Sequence, residues 1–227
     1  MKNLIIALCF VTTSCFQVAY SQTAPSPGQI ETYIGLHKAA HEGDLKGLTQ
    51  LIRDGVDLEL KDGSGRTALH IAAYASHEPV IEALAKAGAD MDALEHRAYD
   101  IVTIAAVAND LDMLAAALEQ GTSAGNVTSP YDGTALIAAA HLGHHQVVDL
   151  LIKNKATLDH INNLNWTALI ESVVLGDGGQ DHIETARLLL AAGADQSIAD
   201  GSGVTPLQHA KSMGFKEMVE LFESYAE

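Results

Sequence analysis

Residues 67–73 read Thr-Ala-Leu-His-Ile-Ala-Ala and residues 78–90 read Glu-Pro-Val-Ile-Glu-Ala-Leu-Ala-Lys-Ala-Gly-Ala-Asp. Thr67 is placed to cap a helix whose small-residue face starts at Ala68 and continues through Leu69 and Ala72 at helical spacing. A second short helix turns Val80, Ile81 and Leu84 inward, and Gly88 supplies the left-handed residue that ends it. The pair is a helical hairpin. Isolated helices shorter than about 12–15 residues are marginal in water, so neighbours must complete the core.

Those neighbours are written into the chain. Comparable starts fall at Ile34, Thr67, Asp100, Thr134, Thr167 and Thr205, separated by 33, 33, 34, 33 and 38 residues. A period of this length marks a stacked-repeat solenoid. Alanines at 72–73, 105–106 and 138–140 let thin inner helices approach closely, and Leu150-Leu151-Ile152 and Leu188-Leu189-Leu190 are leucine-rich outer stretches, with Leu150 expected in the core. Asp62-Gly63-Ser64-Gly65, Tyr131-Asp132-Gly133 and Asp200-Gly201-Ser202-Gly203 read as hairpin turns between units. The 38-residue step carries a five-residue excess, Asp177-Gly178-Gly179-Gln180-Asp181, expected as a mobile loop between the two helices of its unit.

With these motifs the chain resembles the ankyrin-repeat family over about residues 31–227, and exported bacterial members of it in particular. The resemblance implies an all-α solenoid of six helix-turn-helix units, 31–63, 64–96, 97–130, 131–163, 164–201 and 202–227, the end units acting as caps. It places His70, and His37 in the same register, at the histidine that braces a repeat start, and His77, His144 and His182 at the histidine that opens the second helix. Two departures are expected to deviate locally: Asp100-Ile101-Val102 in place of Thr-Pro-Leu, and Lys155 in place of a helix-ending glycine.

Residues 1–21 have a different character. Lys2, the apolar run Leu4 to Val11 and the small residues Ala19 and Ser21 read as a secretory signal peptide cleaved after Ser21, which points to the bacterial periplasm. Secretion beyond the envelope, lipid anchoring through Cys15 and retention of the leader are the alternatives. Both cysteines, Cys9 and Cys15, lie in the leader, so the cleaved chain has no thiol or disulfide chemistry. Gln22 to Ile30, with Pro25, Pro27 and Gly28, reads as a flexible linker.

The whole chain carries 13 basic and 29 acidic side chains, a net charge of −16. That balance argues against nucleic acid. It would steer a basic protein partner inward, although solubility alone also accounts for it. No serine elbow, phosphate-cradling loop or zinc-protease histidine pair is present, so no enzyme activity and no cofactor are expected. His141-Leu142-Gly143-His144-His145 has spacing that could present two imidazoles to a divalent metal, but repeat register explains His144 equally well.

Ankyrin proteins recognise partners through hairpin tips and inner-helix ends. Carried over by register, the resemblance implies a partner-binding set of Arg66, Tyr74, Tyr99, Tyr131, His141, Leu142, Trp166, Val174 and Leu175, with Asp177, Gly178, Gly179, Gln180 and Asp181 as a contact loop. The expected function is to hold a protein partner on the concave face, without a reaction, as a monomer with no membrane span once the leader is removed. A metal or small-ligand receptor and a secreted effector acting on a host protein are the rival readings.

Overall fold

The computed structural model describes residues 24–225, so the leader lies outside the described residues. A single short turn, α1 (Pro27–Ile30), precedes six helical hairpins. The inner helices are α2 (Gly35–Glu42), α4 (Ala68–Tyr74), α6 (Ile101–Ala108), α8 (Ala135–Leu142), α10 (Ala168–Val174) and α12 (Pro206–Met213). The outer helices are α3 (Leu45–Arg53), α5 (Glu78–Lys86), α7 (Leu111–Glu119), α9 (His145–Lys153), α11 (Gln180–Ala191) and α13 (Lys216–Ser224). Inner helices pack on inner helices and outer on outer along the whole series, which makes a solenoid. Among the described residues the extended element is one isolated bridge, Thr128 to Gly133.

Each of the six repeat starts is the N-cap of an inner helix. Thr134, Thr167 and Thr205 accept a backbone N–H three residues on, satisfying one of the orphan donors of a helix start. Asp100 does the same at 2.7 Å from Thr103, so the third unit keeps its entry geometry and the expected local deviation is absent. Burial pushes the Asp100 carboxyl up, against hydrogen bonds from Thr103 and from Asn126.

Lys155 does not deviate either. It takes the left-handed conformation, φ 66°, that Gly55, Gly88, Gly121 and Gly193 take in the other units. The following Ala156 N–H still bonds the Leu151 carbonyl at 3.0 Å, as Ala89 bonds Leu84. Stacking holds the backbone and the lysine Cβ absorbs the steric cost, about 1–2 kcal/mol for an L-residue.

The core is continuous through all units. Val80, Ile81 and Leu84 are buried as expected, and so are the paired alanines 72–73, 105–106 and 139–140. In α9 the buried leucine is Leu151, whereas Leu150 is half-buried and packs from the side, which corrects its expected place. The flexible linker expected over 22–30 is corrected in its described part, 24–30. Ser26 and Gln29 form a reciprocal capping box around α1, and Gln29 Nε2 donates to Ser64 Oγ at 3.1 Å, tying the segment to the first finger.

The five-residue excess divides in two. α11 has 12 residues where α5 and α9 have 9, so Gln180 and Asp181 join His182 in an extra turn of helix, and Asp177 to Gly179 remain as loop.

Candidate partner-binding groove

The hairpin fingers are organised by one acceptor side chain five residues before each N-cap. Asp62, Glu95, Ser129, Asn162 and Asp200 each accept backbone N–H groups from the residues two and four positions on. Successive fingers are then stitched together: His96 N–H donates to the Ser64 carbonyl, Ser129 to Ala98, and Asn163 to Tyr131. A polar residue at this fixed offset is a signal the sequence contained and register reasoning passed over.

These acceptors decide where the expected contact residues go. Arg66 is drawn fully inside, its Nε 2.8 Å and its Nη2 2.7 Å from Asp62 Oδ2, which also accepts the Tyr33 hydroxyl at 2.8 Å. Burial by itself would raise the Asp62 carboxyl, but the Arg66 guanidinium and backbone and the Tyr33 and Ser64 donors bring it down to about 2. Tyr99 is buried as well, with burial pushing its phenol up. Its carbonyl accepts from His70 Nε2 at 3.2 Å, and the opposite nitrogen, Nδ1, accepts the Thr67 N–H. His70 is therefore the neutral Nε2–H tautomer, and burial lowers it to about 4. Arg66 and Tyr99 brace fingers and cannot meet a partner as they stand, which corrects two of the expected contacts.

The others line the open side. Tyr74 at the end of α4 is half-buried, its phenol raised by burial and by Glu95 against nearby arginines. His141 and Leu142 close α8, Val174 closes α10, and Leu175 is its C-cap. All four are half-buried or exposed, on two inner helices that pack directly together. Trp166 and Tyr131 are half-buried on their fingers.

Behind His141 lies a group the sequence reading missed. Glu171 is fully buried on α10, one oxygen 3.2 Å from His141 Nδ1 and the other accepting from Asn162 Nδ2 at 3.0 Å. Its register equivalents in the second, third and fourth units are Ile71, Ile104 and Ala138, so a carboxylate following that series was the available signal.

The histidines that open the outer helices act as braces between units. His77 Nε2 donates to the His41 carbonyl, His144 Nδ1 to Ala106, and His182 Nε2 to His141. His145 faces Asp181 at 3.4 Å. His141, His144 and His145 therefore point to three separate partners, and no grouping of three metal-ligating side chains occurs among the described residues.

The excess segment, expected as a loop between the two helices, makes contacts on both sides. Asp177 Oδ1 accepts the Gly179 N–H and lies 3.1 Å from His182 Nδ1, and both contacts lower its carboxyl. Gly178, at φ 72°, sits so close to the Phe215 ring that a Cβ would collide with it. Gln180 donates to Glu217 at 2.7 Å. Residues 176–182 thus strap the fifth unit to the fourth through His141 and to the sixth through Phe215 and Glu217.

Comparisons place this architecture in a family. The family model for ankyrin repeats matches in three overlapping copies, at residues 19–95, 36–125 and 102–200. The ankyrin repeat protein YahD of Escherichia coli (strain K12) is 32% identical over 184 residues, covering 81% of this chain and 91% of its own. An ankyrin repeat domain from Acinetobacter baumannii AYE, solved by crystallography, superposes with a TM-score of 0.79 at 35% identity, over 84% of this chain and 97% of that one. The ankyrin repeat protein EF0377 gives the same TM-score at 32% identity, over 86% of this chain and all of its own. The chain belongs to the ankyrin-repeat family, whose repeats mediate protein–protein interaction.

Proposed function

We infer that this chain is a non-enzymatic adaptor that holds a protein partner in the groove lined by its inner-helix ends, in the bacterial periplasm. The observation carrying this reading is that Tyr74, His141, Leu142, Val174 and Leu175 stay half-buried or exposed at the ends of stacked inner helices, while the rest of those helices is core. A preformed rigid surface of this kind loses little ordering entropy on binding. Trp166 and Tyr131 extend the surface onto the fingers.

The location rests on the leader pattern of residues 1–21. Crosslinking capture with the tagged full-length chain, expressed and fractionated in a Gram-negative host, tests both parts. A single protein enriched from the periplasmic fraction by the native chain, and lost with a folded Trp166→Ala, Tyr74→Ala variant, is the expected result. Retention of the chain in the cytoplasm, or equal capture by the variant, would overturn the corresponding half.

A further inference from the structure

The closing turns of the inner helices form a strip without formal charge other than titratable histidine. In five consecutive units the residues at 74–75, 107–108, 141–142, 174–175 and 212–213 include no Asp, Glu, Lys or Arg, in a chain where 19% of residues are charged. Ala108, Leu142 and Met213 are exposed, and Val107, Val174 and Leu175 are half-buried. Leu142 and Met213 rank among the large hydrophobic side chains that solvent reaches, 36% and 42% exposed. Because α4, α6, α8, α10 and α12 pack in series, these side chains run as one row down the groove. A row of this kind, apolar but for His141 and Ser212, marks an interaction site, whereas scattered surface leucines do not.

The turns that border the row have the opposite character. Segments 109–112, 143–146, 176–181 and 214–217 contain Asp110, Asp112, Asp177, Asp181 and Glu217 against one lysine, Lys216. Asp177 and Asp181 side chains are 81% and 76% exposed, and Asp112 and Glu217 are exposed too. His145 and His182 lie against Asp181 and Asp177 and soften the rim locally.

We propose that the groove takes an amphipathic, basic segment of its protein partner, the apolar face seated on the row through Leu142, Leu175 and Met213 and the cationic side chains reaching the carboxylates of the bordering turns. This rests on the groove reading above and adds to it the chemistry of the occupant. Apolar area supplies the affinity, and the charged rim selects a basic over an acidic face and speeds encounter. An acidic amphipathic segment with the same apolar face is rejected by like charge.

The test uses the cleaved chain and three labelled synthetic peptides of about 18 residues, five helical turns: leucine–lysine, leucine–glutamate and lysine–serine, with the same periodicity. Fluorescence anisotropy is expected to give saturable binding of the leucine–lysine peptide and at least roughly tenfold weaker binding of the other two. A folded Leu142→Ser, Leu175→Ser variant should weaken it by a similar factor. Asp112→Asn with Asp181→Asn should weaken it and flatten its salt dependence, whereas Glu82→Gln with Glu119→Gln on the outer helices should leave both unchanged.

Equal binding of the leucine–glutamate peptide, or an equal loss with the outer-helix variant, overturns the proposal. Leu142→Ala with Met213→Gln serves if the serine variant fails to melt like the native chain. Failure here stays distinct from failure of the groove reading: a captured partner lost with Trp166→Ala, Tyr74→Ala but not displaced by the leucine–lysine peptide keeps the groove and discards the occupant.

Discussion

The second and fifth units share the helical-hairpin plan, α11 being a turn longer than α5, and distribute their polar groups in opposite ways. In the second, charge is hidden in the finger, where Asp62 holds Arg66, and the helices beneath are apolar through Ile71, Ala72 and Val80. In the fifth, Asn162 and Trp166 take the finger positions, and the helix interior carries Glu171, Ser172 and Thr185 at the registers of those three apolar residues, all fully buried. Ser172 donates to the Leu169 carbonyl, but the Thr185 hydroxyl has no hydrogen-bond partner among the described residues. Repeat geometry therefore constrains where polarity is satisfied less than it constrains volume. The fifth unit, the more polar inside, also carries the extra segment whose contacts reach both neighbours.

Breaking the finger of the second unit should have the largest effect. Asp62→Ala leaves the Arg66 charge buried without compensation and should cost about 3–5 kcal/mol in urea unfolding. The parallel Asn162→Ala, which removes a neutral partner, should cost less, about 1–3 kcal/mol.

The pH dependence comes next. His70 is lowered in the folded chain from 6.5 to about 4, so between those values the unfolded chain binds a proton that the folded chain refuses. Its contribution is complete above pH 6.5 and is lost as pH falls to about 4, by up to roughly 3 kcal/mol. Asp62, also depressed, contributes above its ordinary 3.8 and loses that contribution as pH falls toward about 2. In the sixth unit Gln208 Oε1 accepts the Thr205 N–H at 2.8 Å, the bond His70 makes to Thr67. His70→Gln should therefore keep the helix start and flatten unfolding free energy between pH 4 and 6.5. A slope that persists in the variant would assign it elsewhere.

Thr185→Val should raise stability by about 1–2 kcal/mol, because it removes a buried hydroxyl without a partner among the described residues and keeps the shape. A loss instead would mean that the hydroxyl is satisfied by water inside the fifth unit. The smallest effect is expected at the fingertip, where Asn165 holds φ 62° and its counterpart Gly65 holds 79°. Asn165→Gly should change the melting free energy by no more than about 0.5 kcal/mol, since asparagine already tolerates this conformation.

Much of the fold was legible because repetition compares the chain with itself. The recurrence of Thr67 at 134, 167 and 205 located helix starts, and Ile34 and Asp100 followed by spacing. Side-chain destination was less legible. Arg66, Tyr99 and Trp166 occupy one register, yet the first two are buried and the third is half-buried, because the choice depends on the acceptor four residues earlier and on the finger stacked beside it. Length likewise revealed that five residues were extra. It did not reveal that two of them, with His182, would extend α11, which depends on Gly178 finding the Phe215 ring. Glu171 went unnoticed because a carboxylate in a core register reads as an exposed one until Asn162 and His141 are seen around it.

The strap at 176–182 bears on how the molecule comes apart under load. A solenoid whose units touch only adjacent units peels from its end in small separate steps when pulled. Here one short segment grips the units on both sides, so tension applied at the C-terminus reaches the His141 carbonyl as soon as Phe215 is disturbed. The last three units should then release as one larger rupture, and the groove between α8 and α10 would open with them.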